Sequence, residues 1–329
     1  ETTDEISRIF DALCEPITYK AHRVDVSVSM GVTVFTPGTG ELTEILREAD
    51  IALYKAKSDG RGRWAYYDAI LGAAHASRLL LEAEVKQAIV ERQFLLHYQP
   101  RIDLATGRIV SAEALVRWHH PKRGMVSPGE FIPLCEETGM IIDLGRWVLE
   151  EGCRRAIEWD KAGLDMAISL NLSPRQFEDP SLMEDLAGFS ALPGFPHGKI
   201  ELEITEGVLI GSDDEIEHKL EELEDMGFRV AIDDFGTGYS NLAYISRFPV
   251  HCLKMDMSFV SQLPESGPIV RRILSLASQL KTLVVAEGVE TPEQNRWLQE
   301  HGCDQVQGFY HQRPVPLDEF LAIVTERAR

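Results

Sequence analysis

The hydrophobic and polar positions of the chain follow one pattern before Phe94 and another after it. Apolar residues at helical spacing predict helices over residues 5–15 and 42–58, and alternating residues from Val24 to Val34 predict a strand. A segment with few glycines over 69–92 predicts a further helix. We expect its apolar stripe to be buried in a core rather than to form a partner surface. The stripe comprises Leu79, Leu80, Leu81, Val85 and Ile89.

From Phe94 onward, short apolar runs that end in a polar residue alternate with segments of helical length. The predicted strands lie near 94–100, 109–116, 167–171, 200–204, 229–233, 252–255, 283–286 and 304–307. Eight strands with intervening helices in roughly 250 residues predict an α/β fold of the TIM, or (β/α)8, barrel type. Only residues 103–108 connect the first two strands, whereas a parallel pair needs a longer crossover. We therefore expect a modified barrel whose first strand is antiparallel to the second.

Most of these strands end in a charged or amide side chain. Because the C-terminal ends of barrel strands meet at one rim, these side chains should converge. They are Glu113, Asn171, Glu203, Asp233, Asp234, Lys254, Glu287 and Gln307. One such residue alone would more often cap a helix or form a surface ion pair. Five carboxylates and two amides around one ammonium are typical of a magnesium or manganese site, whereas zinc prefers His or Cys.

Two of these acids are adjacent, Asp233 and Asp234, between an apolar strand and a glycine-rich turn. Two carboxylates about 4 Å apart repel by roughly 4 kcal/mol at an effective dielectric near 20. A cation bound between them would remove this repulsion. The turn lacks the Gly-Lys-Ser/Thr ending of a P-loop, so the sequence favours a metal site here over a phosphate-cradling loop.

The charge of the chain restricts its partners. The 329 residues include 33 Lys and Arg against 53 Asp and Glu, a formal net charge of −20, which disfavours binding to nucleic-acid polymers and anionic membranes. The five cysteines form no Cys-x-x-Cys pair, which favours reduced thiols in a cytoplasm. No apolar run of 18 residues and no signal peptide occurs. We expect a cytoplasmic protein, or the cytoplasmic portion of a larger, membrane-anchored sensor.

Seven motifs follow one another along the second part of the chain. They are Glu113-Ala114-Leu115-Val116-Arg117-Trp118, Asn171-Leu172-Ser173, Glu203-Ile204-Thr205-Glu206, Asp233-Asp234-Phe235-Gly236-Thr237-Gly238-Tyr239-Ser240, Leu253-Lys254-Met255-Asp256, Ala286-Glu287-Gly288-Val289-Glu290 and Gln307-Gly308-Phe309-Tyr310. A lone Glu-Ala-Leu would mean nothing, but the whole ordered series is specific. It resembles the motif series of EAL-domain cyclic di-GMP phosphodiesterases, and the resemblance implies such a domain over 79–329.

The first part of the chain carries a second resemblance. Residues 49–63 are similar to the closing helix of GGDEF, or diguanylate cyclase, domains. No GGDEF or GGEEF motif is present, so the resemblance implies a partial α+β domain over 1–68 without cyclase activity. The helix predicted over 69–92 would then be the linker that leads into the barrel.

The EAL resemblance assigns roles to individual residues. It makes Glu113, Asn171, Glu203 and Asp233 the ligands of one divalent ion, and Asp233, Asp234 and Glu287 those of a second. The two ions would be magnesium or manganese. Lys254 would position the attacking water, with Glu287 able to share that task, while Glu206 and Glu290 support the glycine-rich loop and the metal shell. Substrate contacts are expected from Gln99, Arg117, Asp256 and Gln307. Arg117 could instead form a rim salt bridge, and Gln99 and Gln307 could be ordinary strand-end hydrogen-bonding residues.

The resemblance implies metal-dependent hydrolysis of cyclic di-GMP to linear pGpG in bacterial signalling. The alternative is a catalytically silent receptor of cyclic di-GMP, but such receptors usually lack a metal ligand and here every ligand position is filled. An unrelated metal-dependent barrel enzyme, such as an aldolase, would leave Lys254-Met255-Asp256 unexplained. The resemblance also implies a homodimer through the region after Asp234. Asn241 and the segment 311–314 depart from the usual pattern, which concerns affinity and regulation rather than the reaction.

Overall fold

The computed structural model describes residues 2–20, 22–36, 38, 41–209, 214–237 and 247–327. The chain divides into two compact units, Glu1–Glu84 and Val85–Arg329. The division falls within helix Ala69–Val90. The domain limits expected from the sequence, at 68, 79 and 92, stay predictions. None of the described helices combines the length and the apolar character that crossing a membrane requires.

The described part of the first unit is a small α+β structure. Its elements are helices Thr2–Leu13 and Leu42–Ser58 and strands β1 (Ile17–Tyr19), β2 (His22–Val24), β3 (Met30–Val32) and β4 (Trp64–Tyr66). Strands β1 and β2 form an antiparallel pair, while β3 and β4 are parallel. An added Cβ at Gly31 would lie 2.0 Å from the Ala49 carbonyl oxygen, so glycine is needed for the second helix to pack on β3. The continuous strand predicted from Val24 to Val34 is wrong, because irregular backbone separates β2 from β3.

The second unit is a barrel surrounded by helices. Its strands are β5 (Phe94–Asp103), β6 (Ile109–His120), β7 (Gly124–Val126), β8 (Ala167–Leu172), β9 (Ile200–Thr205), β10 (Phe228–Phe235), β11 (Cys252–Met255), β12 (Leu283–Ala286) and β13 (Gln305–Val306). Its described helices are Pro128–Thr138, Ile141–Lys161, Pro174–Phe177, Leu182–Ser190, Asp214–Asp225, Met257–Ser261, Gly267–Leu280, Pro292–Glu300 and Leu317–Arg327, with a 3-10 helix at Glu206–Leu209.

Eight of these strands close the barrel in the order β5-β6-β8-β9-β10-β11-β12-β13, with β13 pairing back to β5. Strand β5 is antiparallel to both of its neighbours, and the other barrel pairs are parallel. The modified barrel with an antiparallel first strand is therefore confirmed. The turn between β5 and β6 is tight, with Asp103 Oδ1 accepting from the Thr106 backbone N–H at 2.7 Å. Such a turn can only reverse the chain.

Local sequence signals fix several helix starts around the barrel. Ser173 and Thr291 each begin a capping box, in which the hydroxyl accepts from the backbone N–H three residues later and a glutamine side chain returns the bond. A proline follows both caps at the first helical position, where its missing N–H costs nothing. These caps start the two helices directly after strand-end segments of the barrel rim.

Two expectations need correction. Strand β6 does not end near 116 but continues to His120, because it forms a hairpin with β7; its pairing with β8 ends at Ala114. Glu113 nevertheless lies at the rim, because it is next to Ala114, the residue at which β6 stops pairing with its barrel neighbour β8. In helix Ala69–Val90, Leu79 and Leu80 are exposed, so only part of the predicted stripe is core, with Val85 fully buried.

Candidate active site

The two adjacent acids at the end of β10 lie beside a break in strand pairing. The register between β10 and β11 shifts between Ile232 and Phe235, and Asp234 has a φ of 52°. In a regular strand neighbouring side chains point to opposite faces, but a bulge can turn both to one side. Carboxylate oxygens of Asp233, Asp234 and Glu287 accordingly lie within 4.8 Å of one another.

Lys254, on β11, is the buried cation among these acids. Its side chain is 1% exposed, and its Nζ lies 2.6 Å from Glu203 Oε2, 2.7 Å from Glu287 Oε1 and 2.9 Å from Asp233 Oδ1. Glu113 Oε1 is 3.9 Å away. A single ammonium therefore holds carboxylates from four different strand ends in one place, which is the convergence that the strand-end pattern predicts.

Glu113, on β6, is held by two side-chain amides. Asn171 Nδ2 donates to its Oε1 at 2.8 Å, and Gln307 Nε2 donates to its Oε2. Gln307 also donates to Gln99 Oε1 at 3.0 Å, and Gln99 Nε2 donates to the Gln312 carbonyl oxygen at 3.0 Å. Each amide has its nitrogen turned toward an acceptor, so the carbonyl oxygen of Asn171 is directed away from Glu113.

Four further predicted residues lie around this centre. Glu206 Oε2 accepts from the Gly236 backbone N–H at 3.2 Å and so holds the turn after Asp234. Asp256 caps helix Met257–Ser261 through the Ser258 N–H. Burial raises the pKa of Asp234, and the neighbouring carboxylates of Asp233 and Asp256 raise it further. Glu290 is exposed at the edge of the cavity that Glu287 lines. Arg117 is half-buried and donates to its neighbour Val116.

Two cavities meet at the barrel mouth. One, of about 330 Å³, is lined by Arg117, Asn171 and the apolar side chains of helices Pro128–Thr138 and Ile141–Lys161. The other, of about 240 Å³, is lined by Gln99, Gln307, Lys254 and Phe309 among others. Leu115 and Asp233 line both, so the carboxylate of Asp233 lies where the two lobes join.

Burial and charge shift the pKa values of the site in opposite directions. Burial raises the pKa of Glu287 to about 7, and Lys254 only partly offsets the effect. Burial alone would raise the pKa of Glu113, but Lys254 and Arg101 outweigh it and lower that pKa. Burial alone would lower the pKa of Lys254, but the surrounding carboxylates, Glu113 first, raise it well above its ordinary value. The lysine therefore stays protonated, as the sequence predicts.

An arginine and a glutamate that sequence reasoning missed lie directly beneath the rim. Arg101, on β5, is 1% exposed and donates to Glu201 Oε1 at 2.6 Å, to Glu203 Oε1, and through Nε to Gln307 Oε1 at 3.2 Å. Ser169 Oγ also donates to Glu201, at 3.1 Å. The signal was present in the sequence, since side chains two residues apart on a strand share a face, and Arg101 and Glu201 stand two residues from Gln99 and Glu203.

The donor set of the rim fits divalent cations. Carboxylates and amide oxygens are hard ligands of the kind that magnesium and manganese prefer. Negative charge also exceeds positive charge in the barrel mouth, where Lys254 and Arg101 face the carboxylates of Glu113, Glu201, Glu203, Asp233, Asp234 and Glu287. Burying this excess is costly without further cations.

Comparison with known families decides what kind of barrel this is. The sequence model of the EAL domain matches residues 82–314, which include every rim residue. The chain belongs to the EAL-domain family. The model described as diguanylate cyclase, GGDEF domain, matches residues 1–63. Both resemblances inferred from the motifs are confirmed, and membership of the EAL family implies dependence on a divalent metal.

Relatives of this EAL-domain chain include two proteins of Pseudomonas aeruginosa. The bifunctional diguanylate cyclase/cyclic di-GMP phosphodiesterase MucR is 37% identical over 322 residues, covering 96% of this chain and 47% of MucR. The cyclic di-GMP phosphodiesterase NbdA is 37% identical over 321 residues, covering 95% of this chain and 41% of NbdA. The chain thus spans less than half the length of either relative.

Among solved structures, the PaMucR phosphodiesterase in complex with c-di-GMP matches with a TM-score of 0.70 and 39% identity. The match covers 73% of this chain and 99% of that structure.

Proposed function

We propose that the chain hydrolyses cyclic di-GMP to the linear dinucleotide pGpG and so lowers the level of this bacterial second messenger. The observation that carries the proposal is the convergence of four strand-end carboxylates on Lys254 at the mouth of an EAL barrel. The name of NbdA and the c-di-GMP complex of PaMucR support the choice of substrate.

The rim residues would hold two divalent ions, magnesium or manganese. Glu113, Asn171, Glu203 and Asp233 would bind one, and Asp233, Asp234 and Glu287 the other. When bound, such a pair of ions lowers the pKa of a water between them and neutralises charge on the scissile phosphodiester.

The chain's own side chains would place the water and keep the site in shape. Lys254 Nζ is fixed by its short contacts with Glu203 and Glu287, from which it can donate to the attacking water. A Glu287 oxygen can accept the proton that the water loses. Glu206, by holding the Gly236 N–H, would keep Asp234 turned toward the centre.

The two-lobed cavity suits a substrate made of two nucleotides. With Asp233 at the junction of the lobes, one of the two phosphodiesters of the ring would lie against the acids while each base enters one lobe. Arg117 would contact phosphate in the first lobe through its planar fork of donors. Gln99 and Gln307 would contact substrate in the second lobe, and Asp256 and Glu290 would act from its edge.

Association and location belong to the same proposal. A homodimer would form through the region after Asp234, of which residues 238–246 lie outside the described part of the chain. A cytoplasmic location would match that of a second-messenger enzyme. Sedimentation of the chain at activity-assay concentrations tests the dimer, and a fully active monomer would remove it.

Incubation with cyclic di-GMP and magnesium, with and without EDTA, followed by separation of nucleotides by ion exchange, tests the function. We expect pGpG to form only when the metal is free to bind. A chain that binds cyclic di-GMP but returns it intact is a receptor, and a chain that does neither refutes the proposal.

A further inference from the structure

The inward-facing residues beneath the rim form a second ring inside the barrel. In the parallel strands they lie two positions before the rim residues, and in antiparallel β5 two positions after. The eighth position by this rule, Gln305 on β13, is only partly buried. We call the seven other residues the inner ring: Arg101, Ser111, Ser169, Glu201, Ala231, Cys252 and Val285. Every member is buried, and Ala231, Cys252 and Val285 form an apolar cluster of their own.

Small side chains in this ring leave space that Arg101 fills. Serine, alanine and cysteine occupy four of its positions, whereas barrel interiors of this size are normally packed by bulky branched residues. The guanidinium of Arg101 reaches across this space from β5 to two acids on β9. The long side chain of Arg101 is therefore part of the packing of the barrel interior.

The hydrogen bonds of Arg101 fix the orientation of Gln307. Arginine nitrogens only donate, so the atom of Gln307 that faces Arg101 Nε must be its carbonyl oxygen, Oε1. The Gln307 nitrogen is then turned to Glu113 and Gln99. With the amide reversed, a donor would face the guanidinium and an acceptor would face the Glu113 carboxylate. One arginine thus sets the direction of the chain of hydrogen bonds that ends on Glu113.

The same guanidinium holds Glu203. It binds Oε1 of that carboxylate while Lys254 binds Oε2, so both oxygens have a charged partner and the side chain has a single orientation. Glu201 takes the remaining arm of the fork at 2.6 Å and anchors the guanidinium on its far side. A planar fork with five donors can make these contacts together, whereas a lysine ammonium on its flexible stem cannot.

We propose that Arg101, anchored by Glu201, is a positioning residue that orients two metal-binding carboxylates of the rim, Glu113 through Gln307 and Glu203 directly. The inference rests on the proposed function only in taking Glu113 and Glu203 as metal ligands. Groups that orient metal ligands from behind typically change metal affinity or activity by about 10- to 100-fold when they are replaced.

The test compares Arg101→Lys with Arg146→Lys in the full chain. Arg146 also donates to a carboxylate and a hydroxyl, Asp185 at 2.7 Å and Ser181 at 3.1 Å, but on the outer face of helix Ile141–Lys161. Manganese binding is titrated by calorimetry without nucleotide, next to thermal unfolding and to kcat and KM for cyclic di-GMP. We expect R101K to bind manganese about 10- to 100-fold more weakly, and R146K to match the unaltered chain.

If R101K does not fold, manganese binding is measured instead on the double variant Arg101→Met with Glu201→Gln. This variant removes the guanidinium and the carboxylate that anchors it together, so neither charge is left buried without the other. Manganese affinity equal to that of the unaltered chain in the folded variant would overturn the proposal, as would an equal loss in R146K. If the unaltered chain binds manganese but leaves cyclic di-GMP intact, the proposed reaction is refuted. The manganese affinities of R101K and R146K would still test the role of Arg101.

Discussion

Replacing Lys254 by methionine removes the ammonium that lies at the centre of the rim, with little change in side-chain length. Glu203, Glu287 and Asp233 each lose a contact of 2.9 Å or less. Among the described residues, Glu203 alone of the three keeps a second cation in contact, Arg101. Breaking a buried ion pair on one side typically costs about 3–5 kcal/mol, since the other charge is left uncompensated. For a domain of this size, each kcal/mol shifts the unfolding temperature by about 2–4 °C.

We therefore expect K254M to unfold roughly 6–20 °C below the unaltered chain in EDTA. Magnesium should recover part of that loss, because a ligand present at 100 times its Kd stabilises the folded state by about 2.7 kcal/mol. Hydrolysis should fall by about 10²–10⁴-fold even in magnesium, as expected for loss of the group that places the water. Differential scanning calorimetry in EDTA and in excess magnesium measures the first two effects.

The control for this variant is Lys199→Met, which removes a half-exposed lysine that also contacts two carboxylates, Asp160 at 2.9 Å and Asp165 at 3.2 Å. Exposed pairs are worth about 0–1 kcal/mol, so K199M should unfold close to the unaltered chain. If K254M unfolds in EDTA at the same temperature as K199M, the ammonium does not compensate the rim carboxylates and the reasoning fails.

Three further changes have defined outcomes. Glu113→Ala should abolish pGpG formation without changing the circular dichroism spectrum, and activity near that of the unaltered chain would contradict its metal assignment. Calcium should inhibit in competition with magnesium because its shell is larger and looser; full turnover in calcium alone would refute a site shaped for the smaller ion. Gly308→Ala places a Cβ 2.1 Å from the Val289 carbonyl oxygen and should cost about 1–3 kcal/mol in urea unfolding, whereas Gly188→Ala meets nothing within 4 Å and should not destabilise.

Much of the barrel could be predicted because its signals are local. Each of the eight barrel strands overlaps its predicted run, and the antiparallel β5 follows from the short connection 103–108. The end of β6 could not be placed in the same way, because its extension to His120 depends on pairing with β7 and not on its own sequence. The local pattern of apolar and polar residues therefore predicts where the strands lie, whereas pairing with β7 determines where β6 ends.

The candidate site shows the same division. The rim acids could be predicted to converge because the barrel brings all C-terminal strand ends to one edge. Arg101 and Glu201 were missed because only the last residue of each strand was considered, and a buried arginine looks like an ordinary polar residue until its partners on another strand are known. The exposure of Leu79 and Leu80 could not be predicted either. An apolar stripe predicts that one face of a helix is buried, but it does not identify the element that packs against that face.

The two cations inside the barrel are suited to different positions. Lys254 carries a compact charge that lies near several acids at once, which suits the centre of a site where ligands and water exchange contacts. Arg101 carries a planar fork, which suits the layer beneath, where each donor has one fixed acceptor. If the order were reversed, a rigid fork at the rim would fix in one arrangement the carboxylates that now share one compact ammonium, and a lysine beneath it would leave Gln307 free to turn. The chemistry of the rim therefore depends on having the more rigid of the two cations below it.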